Sequence, residues 1–127
     1  MIDQYPDLEW FAQQTANWEK TEAFDKTEAI LQANPDLDGI ICGNDTMLEG
    51  AVAACEAAGK NIPIIGVDGS DEAAALIKDG KATGTALQQF ALMAEMAVEQ
   101  ADAYLKDGTT GLDENSLLTV LRSQQTT

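Results

Sequence analysis

The sequence predicts an α/β fold, a three-layer parallel sheet with helices on both faces. Three observations carry that expectation. Short apolar runs at 38–43, 62–67 and 82–87 alternate with segments whose apolar residues recur at helical spacing. The runs end at Gly43-Asn44, Asp68-Gly69 and Gln88, small or polar residues that suit the turn between a strand and a helix. Finally, no fixed-period repeat or low-complexity linker interrupts the alternation, and a chain of 127 residues has the length of one domain.

Taken in order, residues 8–14 carry a weak alternation and are expected to form the first strand, with Trp10 and Phe11 in the core. Asn17 is placed to cap a helix bearing Ala23, Phe24, Thr27, Ile30 and Leu31 on one face. Asn34-Pro35 ends it, because the residue before proline avoids the α region. Residues 38–43 follow as the second strand, and Asp45 is expected to cap a helix that carries Leu48, Val52 and Cys55 and stops at Gly59. Residues 62–67 are apolar at successive positions, which predicts a strand buried on both faces. Pro63 falls at its start, where a missing N–H is tolerated. Ser70 caps a short helix containing Leu76 and Ile77, closed by Gly80. After a fourth strand at 82–87, a long helix runs from about Phe90 to Lys106, and a last short strand is expected at 117–121.

Composition removes whole classes of chemistry. Seven basic residues against 22 acidic ones give a net charge of −15, a surface that repels phosphate backbones and anionic lipid. Nucleic acid and membrane surfaces are therefore expected to be poor partners, with no nucleic acid bound, and a neutral ligand is favoured over an anionic one. The chain has no histidine, which rules out Ser-His-Asp and Cys-His catalysis and most zinc sites. No GxGxxG or Walker A loop is present, and the acidic run 68–72 has the wrong order for a calcium loop. No catalytic residue, metal ligand or cofactor is expected, and the chain is not expected to be an enzyme. Cys42 and Cys55 read as small, reduced core residues. No window approaches the ~18 apolar residues of a membrane span, and the N-terminus lacks the features of a signal peptide. Any export signal of a longer parent lies outside this chain.

The topology of a parallel sheet brings the residues that follow its strands to one edge, the place where α/β proteins meet their ligands. Here those residues are Trp18, Asn44, Asp68 and Gln88. A carboxylate accepts two hydroxyl hydrogens, amides both donate and accept, and an indole offers a flat face to the C–H side of a sugar ring. The set suits binding of a polyhydroxylated neutral molecule. Each residue also has a plainer reading. Asn44 can hold the turn before Asp45, Asp68-Gly69 is a common turn dipeptide, Gln88 can be a solvated loop residue, and Trp18 can be core packing.

Several segments carry a family resemblance. Residues 34–41 (Asn-Pro-Asp-Leu-Asp-Gly-Ile-Ile), Asn44-Asp45-x-Met47, Ala57-Ala58-Gly59, 64–69 (Ile-Ile-Gly-Val-Asp-Gly) and Ala82-Thr83-x-Thr85-x-x-Gln88 stand in order. Together they resemble the type I periplasmic sugar-binding proteins of ABC transporters, the ribose-binding branch above all, over roughly residues 8–110. The resemblance implies a sugar or polyol ligand held between two lobes and delivered to an ABC permease. It places a stacking aromatic at Trp18, amide contacts at Asn44 and Gln88, and the hydroxyl-binding carboxylate at Asp68. The parent is expected to be periplasmic, or extracellular and lipid-anchored.

Glu49 and Phe90 depart from the family pattern, as does the length. Residues 1–127 resemble only the C-terminal lobe, an incomplete one, and the helix at 89–108 is expected to pack on an N-terminal lobe that is missing. Two consequences are expected: sugar affinity that is weak or nil, and self-association as a dimer or domain swap. The effector domain of LacI-type repressors shares the fold and is the alternative. Those proteins commonly carry Asp-Asp where this chain has Asp68-Gly69.

Overall fold

The computed structural model of the chain describes residues 4–109. Its elements are α1 (Lys20–Ala33), β1 (Ile40–Ile41), α2 (Asp45–Ala57), β2 (Ile64–Asp68), α3 (Asp71–Lys78), β3 (Gly84–Leu87) and α4 (Phe90–Asp107). The sheet has the order β1-β2-β3 and is parallel throughout, with Ile41 opposite Ile65 and Asp68 opposite Leu87. The α/β class and the parallel sheet are those the sequence predicts. The chain divides after Gln88 into two compact units, and the sheet with α1 to α3 makes up the first.

Local chemistry explains where the helices start. Asn44 precedes α2 in extended conformation, and its Oδ1 accepts the Met47 N–H at 2.9 Å. This corrects the expectation that Asp45 is the cap: Asp45 is the first helical residue, and its side chain turns inward. Ser70 caps α3 as predicted, accepting the Ala73 N–H at 3.1 Å. Asn17 does not cap α1. It lies with Trp18 in a left-handed turn (φ 48° and 65°), and its Nδ2 donates to Glu22 at 2.7 Å, so α1 begins at Lys20 after an uncapped Glu19.

Two strand expectations fail within the described residues. Residues 8–14 form no strand, and Trp10 and Phe11, expected in the core, are 54% and 52% exposed. A weak alternation without a neighbouring ladder does not hold a strand in place. β2 is not buried on both faces either. Ile64 and Gly66 point into the core, whereas Ile65 is 41% exposed and its register partner Ile41 is 76% exposed. Successive side chains point to opposite faces, and the core cluster gathers on only one of them. The expected strand at 117–121 lies outside the described residues.

That core contains Leu31, Cys42, Leu48, Val52, Cys55, Ile64, Ala73 and Ala82, so α2 and α3 share it with the sheet. α1 packs against α2, and Gly50 makes the approach possible. A Cβ there would collide with the Lys20 carbonyl oxygen and come within 3.0 Å of both Ala23 Cβ and the Phe24 nitrogen. Glu49, which departs from the family pattern, meets Lys20 Nζ at 2.6 Å across the same contact.

In the second unit, α4 runs eighteen residues and buries none of them fully. Val98, Tyr104 and Leu105 are exposed, and Gly108 ends the helix in left-handed conformation with its N–H on the Tyr104 carbonyl at 2.9 Å.

Candidate functional site

The carboxyl ends of the three parallel strands lie side by side, and the side chains of Asp68 and Gln88 meet there. Asp68 ends β2, and its Oδ1 accepts from Gln88 Nε2 at 2.9 Å. The Gln88 N–H also donates to the Asp68 carbonyl at 3.0 Å, which carries the β2–β3 pairing one residue past the strand. Asp68 Oδ2 faces the Asp45 N–H at 3.5 Å, a long contact that links it to the turn after β1.

Asn44 stands at that turn, half-buried, with Oδ1 committed to capping α2. Its amide nitrogen remains as the donor it can offer outward. Trp18 follows no strand, contrary to expectation, yet the turn before α1 brings it to the same place. Its ring carbons Cζ3 and Cη2 lie 3.4 and 3.8 Å from where a Cβ on Gly43 would stand. The indole is 66% exposed, so core packing does not account for it. The structure thus joins Asp68 and Gln88, with Asn44 at the turn whose next residue, Asp45, faces Asp68, and with Trp18 beside Gly43 at that turn.

The backbone of Asp68 is unusual, with φ at +134°, a region that disfavours residues with a side chain. Gly69 and Ser70 follow it, and both of their N–H groups are held. Ser70 donates to Asp45 Oδ2 at 2.7 Å, and Gly69 donates to Thr85 Oγ1 at 3.2 Å. The Thr85 hydroxyl in turn donates to Asp45 Oδ1 at 2.7 Å. Asp45 is only 2% exposed, so a carboxylate sits inside the first unit beneath the edge, satisfied by two donors.

Sequence reasoning missed Asp45 and Thr85. Their signal was Gly66, a residue without a side chain in the middle of an apolar strand. A Cβ on Gly66 would collide with Asp45 Oδ1 and lie 2.9 Å from Leu48 Cδ1, so the glycine makes room for the carboxylate. Below this layer, Cys42 has its thiol pushed up to about 12, first by burial and then by Cys55 and Asp45 nearby. At ordinary pH it is a neutral, inert group. Among the described residues, no group of His, Cys, Asp and Glu side chains is arranged to hold a metal ion.

A polar edge of one acid and two amides, with an exposed indole beside it, can hold hydroxyl groups but lacks a pair of groups arranged for proton transfer. The family model for the periplasmic binding protein domain matches residues 1–110. A D-apiose import binding protein of Actinobacillus succinogenes is 48% identical over 120 residues, which is 93% of this chain and 39% of the relative. A ribose import binding protein of Bacillus subtilis is 38% identical over 98 residues, 77% of this chain and 32% of the relative. Among solved structures, an ABC transporter periplasmic solute binding protein from Actinobacillus succinogenes with bound D-allose superposes with a TM-score of 0.71 at 40% identity. That match covers 79% of this chain and 38% of the other. The chain therefore spans about two fifths or less of the proteins it matches. On sequence and fold together, the chain belongs to the periplasmic binding protein domain family.

Proposed function

We propose that the chain is part of the sugar-binding component of an ABC-type importer, and that a neutral sugar or polyol docks on the edge formed by Asn44, Asp68 and Gln88. The observation that carries this reading is the Asp68–Gln88 pair. A carboxylate joined to a carboxamide at the end of a parallel strand presents acceptors and a carbonyl to adjacent hydroxyls. Asn44 adds a donor, and the exposed Trp18 indole adds an apolar face for the C–H side of the ring. The excess of acidic over basic residues favours a neutral ligand over an anionic one. Relatives named for apiose and ribose import, and a solved relative holding D-allose, support the choice of sugar.

In a full-length parent this edge is one wall of a site between two lobes, α4 packs on the other lobe, and the loaded protein is read by an ABC permease outside the cytoplasm. Alone, the chain supplies only one wall. A sugar there keeps much of its water, so affinity is weak, with a Kd on the order of millimolar. The bare Ile41–Ile65 face favours association with a second copy.

Thermal unfolding in the presence of D-apiose, D-ribose, D-allose and a polyol tests the reading. The expected result is a rise in Tm of a few degrees with at least one of them at about ten times Kd, which corresponds to ~1.4 kcal/mol. Asp68→Ala abolishes the rise. A variant that responds as the parent does would show that the site is elsewhere.

A further inference from the structure

We propose that Asp45 is a positioning residue for the Asp68–Gln88 edge, and that it acts by clamping the β2–α3 turn between α2 and β3. The proposal rests on the reading of that edge as the sugar-contacting surface, and it adds a residue that need not touch the ligand.

Asp45 is the first residue of α2, where a carboxylate ordinarily faces solvent and favours the helix N-terminus. Here Asn44 supplies the cap, and Asp45 is buried. A carboxylate inside a protein is costly unless its oxygens are hydrogen-bonded, and both oxygens of Asp45 are. One takes the Ser70 N–H and the other takes the Thr85 hydroxyl, each at 2.7 Å. Thr85 Oγ1 then takes the Gly69 N–H at 3.2 Å. Two consecutive N–H groups of one turn are thus fixed by a single Asp–Thr pair drawn from α2 and β3.

The residue immediately before this turn is Asp68, held at φ +134°. A non-glycine residue remains in such a conformation only where its surroundings determine it. The clamp is what determines it: Gly69 and Ser70 cannot swing while Asp45 and Thr85 hold them, so the Asp68 carboxylate stays within reach of Gln88 Nε2. The Asp45 N–H, 3.5 Å from Asp68 Oδ2, faces the same carboxylate. Gly66 completes the device by leaving room for the buried carboxylate. A carboxylate serving only the core would turn its donors toward the core. These donors come from a ligand-edge turn.

The test uses the full 127-residue chain, labelled with nitrogen-15, and reads the Gln88 side-chain amide directly. Thr85→Val removes the hydroxyl while leaving Asp45 and its Ser70 contact, and Thr85→Ser restores it. Asp45→Asn removes the charge and one acceptor. In Thr85→Val the Gly69 amide is expected to exchange about tenfold faster, and in Asp45→Asn the Ser70 amide does so, while amides of α1 and α2 change by less than about twofold. In both variants the Gln88 side-chain resonances move toward those of a free carboxamide, and in Thr85→Ser they return. Gln88 resonances that stay in place while the turn amides loosen would overturn the proposal, because the turn would then be held without positioning the site. Should Asp45→Asn not fold, the Thr85 pair decides alone. Adding D-apiose, D-ribose, D-allose and a polyol in turn to the same samples separates the two claims. A parent that shows no shift with any sugar removes the sugar reading, and the Gln88 readout still decides the clamp.

Discussion

Gln88 is tied to Asp68 twice, main chain to main chain at 3.0 Å and side chain to side chain at 2.9 Å. Asp68 makes the second bond from a backbone held at φ +134°. Strain of this kind costs on the order of 1–3 kcal/mol, and glycine avoids it. Asp68→Gly and Asp68→Ala both lose the bond to Gln88, but only alanine keeps the strain. Urea denaturation is expected to find the glycine variant more stable than the alanine variant by about 1–2 kcal/mol. Equal stabilities would mean that the backbone is not strained at Asp68.

Much of this edge was legible in the sequence, for a topological reason. Parallel strands send the residues after them to one side, so Asn44, Asp68 and Gln88 could be grouped from strand ends alone. Trp18 reached the same place by a different route, a left-handed turn that no pattern of alternation announces. Residues 8–14 carry a weak alternation but meet no partner ladder, so they form no strand. Asn44 and Asp45 are both good caps in sequence, and only packing decides which turns inward. The exposed face of β2 was hidden for a related reason: an apolar run looks the same whether one face is covered or two.

The contact between α1 and α2 depends on the missing side chain of Gly50. A methyl group there meets the Lys20 carbonyl, which is backbone of the first turn of α1 and cannot rotate away. Gly50→Ala ordinarily gains helix propensity, by about 1 kcal/mol. Here overpacking outweighs that gain, and a net loss of about 1–2 kcal/mol is expected by urea denaturation. A variant more stable than the parent would show that the helices are not in close contact at Gly50.

Cys42 makes stability depend on alkaline pH. Its thiol ordinarily titrates near 9.0, and in the folded chain burial, followed by Cys55 and Asp45, pushes it up to about 12. Below 9 the thiol is neutral in both states and contributes no pH dependence. Between 9 and 12 the unfolded chain releases the proton and the folded chain keeps it, so stability falls as pH rises, by up to roughly 4 kcal/mol across the window. Cys42→Ala should flatten this part of the Tm-versus-pH curve relative to the parent. At pH 8 the native thiol should resist iodoacetamide and react once urea unfolds the chain. Alkylation of Cys42 in the native state would contradict its burial.

The exposed pair Ile41 and Ile65 bears on how the chain behaves in solution. They lie opposite each other in register on β1 and β2, and both point away from the cluster that holds Leu48 and Ile64. Burying an isoleucine contributes about 1.5–3 kcal/mol, so two neighbours on one flat face supply a substantial part of a contact between copies. Sedimentation equilibrium is expected to show concentration-dependent association of the parent. Ile41→Thr with Ile65→Thr keeps β-branched side chains suited to a strand and removes most of the apolar area. The dissociation constant should rise at least about tenfold in the double variant, the equivalent of ~1.4 kcal/mol. An unchanged constant would move the contact to another surface, and a parent that stays monomeric at every concentration would show that this face tolerates water.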